Sequence, residues 1–338
     1  MNRAVSWRRS ILLGTLIACV ASFTGGAFAQ AVFAKPPNLI PLPAWNLSLV
    51  PNTTTGTSTV RFSTTSWNNG TGPLQLEAGP VNTGGDKQQV MQRVFNSDGS
   101  AALFFAGWFT YHPEHNHIHF DNYALYTLQP VNAPGGSSRT GQKTTFCVMD
   151  TTSVDLTLPG APGAKVYSTC GNLIQGMSVG WGDTYGSGLP GQEIDFTGNA
   201  DGLYQLKITV DPNNVIVESN NSDNVSCVLL NIVKPSSVTV VDSSGSCSTV
   251  TSITPNTAAV GVPTQVTISG HGFTSGMAVN FEGGNGPRPV ASNVQLVSDT
   301  TITATVTVPY KKQPAKDPVW DLRVGVGGLL RNAFTVTR

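Results

Sequence analysis

No stretch of this chain sustains an apolar repeat at helical spacing. Short runs rich in valine, isoleucine and threonine are instead cut every few residues by glycine, proline, asparagine and serine. With 36 glycines and 22 prolines among 338 residues, helices are interrupted almost wherever they could start, whereas strands joined by tight turns suit this punctuation. The expected class is all-β. Strands are predicted at Thr59–Ser63, Gln89–Phe95, Ala101–Phe109, Tyr123–Leu128, Thr144–Val148, Gly191–Phe196, Tyr204–Val210 and Val225–Ile232. The length suggests about two domains, each large enough to bury a core.

The first 29 residues have the pattern of an export signal. Arg3, Arg8 and Arg9 precede the apolar run Ile11–Val20, which is short for a membrane span, and Ala27-Phe28-Ala29 supplies a cleavage site. Arg8-Arg9 weakly resembles a twin-arginine signal, and Leu16-Ile17-Ala18-Cys19 a lipoprotein cleavage box. A secreted or periplasmic location is therefore expected, with a lipid anchor at Cys19 as the minor alternative. The whole chain has 19 basic and 19 acidic residues; loss of the leader removes three arginines and no acid. The slight acidity that remains, without any basic stripe, argues against nucleic-acid binding. Cys147, Cys170, Cys227 and Cys247 would remain, an even number that suits two disulfides in an oxidising compartment and allows three pairings.

The segment Ser243–Thr249, SSGSCST, reads as a linker. It divides the chain into residues 30–248 and 249–338. Beyond it, Val266 and Ile268 alternate toward Gly270 and Gly272, and Val279, Phe281, Thr301–Val308, Phe334 and Val336 continue a strand-rich pattern. This half resembles an IPT/TIG module, which implies an immunoglobulin-like β-sandwich and a surface, carbohydrate or protein partner. No catalytic constellation is visible there; His271, between two glycines, reads as a solvated turn residue.

Chemistry concentrates in Tyr111–Phe120, YHPEHNHIHF, which holds four of the five histidines. Pro113 opposes a helix. On a strand, alternate side chains share a face, so His115, His117 and His119 stand ~6.5–7 Å apart and can converge on one ion, while Asn116 and Ile118 face the other way. The bland alternative is a solvated face rich in histidine. Three imidazoles with an open position suit Cu(II) or Zn(II), and the ligands alone do not choose between oxygen chemistry and hydrolysis.

HPEHNHIH resembles the copper-binding segment of the lysyl oxidases, whose ligands would fall on His115, His117 and His119, with His112 outside the set. GQKTTFCVMDT resembles the family segment around the lysine that becomes half of the lysyl tyrosylquinone cofactor, here Lys143. QGMSVGWGDTYGSG resembles the segment holding the other half, here Tyr185, and ITVDPNNVIVESNNSDNVSC resembles a C-terminal family segment. The likeness spans about residues 36–248 and implies a β-sandwich-like catalytic domain. It also implies disulfides Cys147–Cys170 and Cys227–Cys247, and a calcium ion held by Glu218, Asn220, Asp223 and Asn224 with the chain segment Asn38–Leu39.

The resemblance implies an exported copper-dependent amine oxidase that converts protein lysine or other primary amines, with O2, to aldehydes, releasing ammonia and hydrogen peroxide. Oxidation of the Tyr185 phenol would make an electrophilic quinone to which a neutral Lys143 amine adds, so the two must lie close together and the amine must be desolvated. Taken singly, Lys143 reads as a solvated charge and Tyr185 as a buried anchor. Two features depart from the family pattern. Tyr111 stands where a tryptophan is usual, and Asn122 stands near the place of a further histidine in animal members. Asp183 is then the candidate base, with Asp121 and His112 as weaker ones. The alternatives are a non-catalytic copper-binding or adhesion protein on the same fold, and a zinc hydrolase.

Overall fold

The structure, a computed structural model, describes residues 32–81, 87–112, 117–310, 317–325 and 328–337. Within them every regular element is a strand, as the turn-rich sequence predicts, and no helix is long and apolar enough to cross a membrane. The leader, including Cys19, and His115 lie outside the described residues.

Two hydrophobic clusters organise the chain. The first runs from Leu39 to Ile232 and the second from Val250 to Val336. Around the first, a six-stranded sheet takes the order Ile174–Met177, Leu74–Val81, Lys87–Asn96, Ala101–His112, His117–Phe120, with Ala34–Lys35 flanking Lys87–Asn96. A five-stranded sheet takes the order Arg139–Thr140, Ala124–Asn132, Gly202–Val210, Val225–Val233, Ser237–Gly245. The third sheet is built on the long strand Thr57–Asn68. Trp181–Tyr185, Glu193–Asp195, Leu39–Pro41 and Trp45–Asn52 each pair with part of its length. Around the second cluster lie two four-stranded sheets, one of which contributes the fully buried Phe281 and Phe334, their rings 5.1 Å apart.

The alternating pattern explains the faces. In Gly202–Val210, Tyr204, Leu206, Ile208 and Val210 are buried, and in Thr57–Asn68 the apolar pair Val60 and Phe62 is buried. Phe62 meets Tyr126 edge to face at 5.1 Å, and Phe120, Phe146 and Tyr123 continue the aromatic core. Full burial of one such ring is worth ~1.5–3 kcal/mol, so these aromatics carry much of the first cluster's stability.

Three expectations are corrected. Thr144–Val148 is not a strand. It makes one isolated bridge, Phe146 with Phe120, and its other bonds are irregular: backbone amides of Tyr123 and Gly176 donate to the Thr144 and Val148 carbonyls, while the Tyr185 hydroxyl engages Cys147 and Gln175 accepts the Val148 amide. Gly191–Phe196 shortens to Glu193–Asp195, because Gly191 has φ +78° and ends the extended run. Ser243–Thr249 is mostly strand, leaving only residues 246–248 between Ser237–Gly245 and Thr249–Thr254. The Cys227–Cys247 disulfide holds the end of that run beside the strand Val225–Val233. The second disulfide joins Cys147 to Cys170, so both pairings implied by the resemblance are present.

Candidate active site

His117 and His119 lie on the edge strand His117–Phe120, which pairs with Ala101–His112 in the register His117 to His112 and His119 to Thr110. The alternation behaves as expected: Ile118 turns into the core while the two imidazoles share the opposite face. Their Nε2 atoms approach to 2.9 Å, and His119 Nδ1 lies 3.2 Å from the Thr145 hydroxyl. Among the described residues no group of three His, Cys, Asp or Glu side chains surrounds one point, and the third expected ligand, His115, falls outside them.

The segment after Lys143 is pinned to the histidine strand. Phe120 and Phe146 exchange both backbone hydrogen bonds, at 2.7 and 3.1 Å, and the Tyr123 amide donates to the Thr144 carbonyl. Gln175, fully buried, bridges the two by donating to the Ile118 carbonyl and accepting the Val148 amide. Lys143 is thereby carried to within 5.1 Å, Nζ to ring centroid, of Tyr185, and to 5.0 Å of Phe146.

Tyr185 ends the strand Trp181–Tyr185, opposite Thr64, and Asp183 two residues earlier shares its face. Phe146 meets the Tyr185 ring edge-on at 4.8 Å. The Tyr185 hydroxyl accepts the Cys147 amide and donates to the Cys147 carbonyl, while burial, reinforced by Asp183, pushes its pKa well up. Burial also pushes the Lys143 ammonium below its usual pKa, opposed by Asp183. Asp183 itself is buried, and among the described residues neither carboxyl oxygen meets a donor in full hydrogen-bond geometry. Burial holds its pKa well above the carboxylate range, with only partial relief from the nearby Met149 amide.

His117, His119, Lys143, Asp183 and Tyr185 open onto one cavity of about 270 Å³ whose walls include Met149, Leu189 and the Cys147–Cys170 disulfide. The candidate bases separate here. Asp121 is engaged by Lys87 at 2.7 Å and Thr110 at 2.8 Å, away from these walls, and the side chain of His112 lies outside what is described. Gln175, Gln192 and Thr145 were not expected at the site. They are ordinary polar residues in sequence, and only non-local pairing brings them in.

A second polar cluster joins the distant segments expected to hold calcium. Glu218 accepts the Leu39 amide at 2.5 Å and Asn224 Nδ2 at 2.8 Å, while Asn38 Nδ2 donates to Asp223 at 3.0 Å. Among the described residues Asp223 Oδ1 and Asn224 Oδ1 are buried without hydrogen-bond partners, oxygens of the kind a hard cation takes. Asn220 does not join them; its carbonyl oxygen caps a local turn at Ser222.

The fold and this constellation define an all-β protein with a lysine and a tyrosine juxtaposed beside paired imidazoles. Comparison with known proteins finds similarity to lysyl oxidases over part of the chain. The Lysyl oxidase family model matches residues 91–241. Human Protein-lysine 6-oxidase is 34% identical over 116 residues, which are 34% of this chain and 26% of the human protein. The pig Protein-lysine 6-oxidase is 34% identical over 116 residues, 43% of its length. Lysyl oxidase homolog 2A of Danio rerio is 31% identical over 137 residues, 40% of this chain and 17% of that protein. The match thus spans less than half the length of each of these relatives.

Proposed function

We propose that this chain is an exported, copper- and quinone-dependent primary-amine oxidase of the lysyl oxidase type, acting on protein lysine or on small primary amines. One observation carries the reading. Lys143 Nζ stands 5.1 Å over the ring of Tyr185, across a cavity that it shares with two converging histidines. A lysine with a purely solvent role has no reason to be desolvated against a buried phenol.

The donor set fits copper. The imidazoles of His117 and His119, whose Nε2 atoms lie 2.9 Å apart, would hold the copper ion through neutral ring nitrogens, a ligand type that copper accepts. His115 would complete the ligand set. When bound, copper with two O2 supplies the oxidation that joins Tyr185 to Lys143 as a quinone, with release of one water and one hydrogen peroxide, and that quinone serves the overall conversion of amine, O2 and water to aldehyde, ammonia and hydrogen peroxide.

The chain's own groups have definable parts in this scheme. Burial shifts Lys143 toward the neutral, nucleophilic amine, and Phe146 contacts both it and the Tyr185 ring. Asp183 lines the same cavity and, in its ionised form, would take the substrate's α-proton. Met149, Leu189 and Pro190 keep the walls apolar and limit water. Residues 30–248 would form the catalytic domain and 249–338 an immunoglobulin-like module for a surface, carbohydrate or protein partner. Residues 1–29 would direct export, and Asn38, Leu39, Glu218, Asp223 and Asn224 would hold calcium.

Mass spectrometry of copper-loaded, air-exposed protein tests the reading. A single peptide containing both Lys143 and Tyr185, reactive to a carbonyl-directed quinone stain, is expected. Separate, unmodified peptides without amine-dependent hydrogen peroxide would instead favour a non-catalytic copper protein on this fold.

A further inference from the structure

The segment that follows Tyr185 returns over Lys143, and the long strand Thr57–Asn68 holds it down at several points. The Arg61 guanidinium reaches across it, Nε to the Ser187 carbonyl at 2.7 Å and Nη2 to the Leu189 carbonyl at 2.8 Å, with Nη1 paired to Glu193. The Ser187 amide donates to the Ser63 hydroxyl at 2.9 Å, and Gln192 Nε2 donates to the Tyr185 carbonyl at 3.1 Å. At the end of the loop Gly191, with φ +78°, lies flat on the stem of Lys143. A Cβ placed there would stand 3.1 Å from Lys143 Cβ, 3.5 Å from Cδ and 3.6 Å from Cγ. The loop is therefore fixed on one side to Arg61 and rests on the other against an aliphatic chain whose amine faces the Tyr185 ring.

We propose that loop 186–191 is a clamp, set by Arg61 and closed by Gly191, that presses Lys143 toward Tyr185 so that the two side chains can join. Arg61 and Gly191 act as positioning residues for cofactor formation. The inference rests on the oxidase reading above. Two features favour a positioning role over a merely ordered surface loop. One planar guanidinium spans two carbonyls of the same short loop, which fixes its distance from the strand. The absence of a side chain at position 191 lets backbone come within contact of Lys143, where any Cβ would both strain the left-handed backbone and crowd the stem.

The test uses the full chain and two variants, Arg61→Met and Gly191→Ala. In metal-free protein, an amine-acylating reagent is applied and labelling of Lys143 is followed by peptide mass spectrometry against exposed Lys165. Arg61→Met should label Lys143 about ten-fold faster with Lys165 unchanged, because the cover is no longer anchored. After copper loading in air, both variants should show a joined 143/185 peptide reduced about ten-fold, the order of loss expected when reacting groups are displaced by an ångström or less. Arg61→Lys, which restores a donor, should recover part of it. Wild-type labelling and cross-linking in folded variants would overturn the clamp. If Arg61→Met does not fold, Gly191→Ala decides, since it leaves the Arg61 contacts in place. Failure of the unaltered chain to cross-link would remove the oxidase reading and the clamp together; a cross-linked wild type with unaffected variants removes only the clamp.

Discussion

One residue, Cys147, grips the Tyr185 hydroxyl from both sides: its amide donates to the phenol oxygen at 2.9 Å and its carbonyl accepts the phenol proton at 3.0 Å. The phenol thus stands in for a neighbouring strand. Tyr185→Phe keeps the ring and its contact with Phe146 but strands one amide and one carbonyl. Each such loss costs ~1–3 kcal/mol when the group stays dry. A fall of several degrees in melting temperature of the metal-free protein is expected, together with complete loss of the joined peptide. An unchanged melting temperature would mean that water replaces the hydroxyl.

Asp183 offers a separable test. Because burial raises its pKa, the folded state holds a proton that the unfolded state releases above about pH 4. Stability is therefore unaffected by this group below that pH and falls as pH rises toward the raised folded pKa. Lys143, Asp150, Tyr123, Tyr126 and Tyr185 are the titratable groups coupled to it. Asp183→Asn lacks the effect, so denaturation of the metal-free proteins at several pH values should show the variant gaining on the wild type as pH rises, by at most about 1.4 kcal/mol per pH unit. Amine turnover should drop about 10²–10⁴-fold, the usual share of a general base. A variant with normal turnover would transfer the base role elsewhere.

The Glu218–Asp223–Asn224 cluster predicts stabilisation by calcium. Its orphaned buried oxygens are costly without a cation, and binding to the folded state alone would add ~2.7 kcal/mol at a hundred times the dissociation constant. A calcium titration should raise the melting temperature, magnesium should do so less, and Asp223→Ala should abolish the difference. Asn220→Ala should leave it intact, because among the described residues the Asn220 side chain bonds to Ser222 of its own turn. Equal responses in wild type and Asp223→Ala would move the ion elsewhere.

Two separate cores predict two folding units. Among the described residues the clusters share no member, and Asp242 and Arg323 make a 3.8 Å ion pair between their flanking strands. A chain ending at Ser248 should fold, keep both disulfides and still join Lys143 to Tyr185. It should lose only modest stability from the newly exposed Leu203 and Leu229, which now face a groove bordered by Leu329 and Leu330. Failure to fold, measured by loss of a cooperative thermal transition, would show that the two clusters stabilise each other.

Much of this arrangement was legible in the chain. The punctuation by glycine and proline settled the all-β class, and the alternation at 115, 117 and 119 placed His117 and His119 on one face with Ile118 turned inward. The strand over Thr144–Val148 was misread because threonine, phenylalanine and valine favour strands locally, while here the Tyr185 phenol and Gln175 satisfy the backbone instead. The strand Trp181–Tyr185 was missed for the opposite reason: Gly182 and Asp183 weaken its local signal, and pairing with Thr57–Asn68 overrides it.

What the residues determine alone is periodic and local: which side chains alternate, where turns must fall, and which residue types can ligate or condense. The meeting of Lys143 with Tyr185, the burial of Asp183 and the reach of Arg61 over loop 186–191 belong to the tertiary structure alone. A strand's two-residue period is a property of its own backbone, but the choice and register of its neighbour come from the burial of whole sheets, and it is that choice which sets two distant side chains face to face.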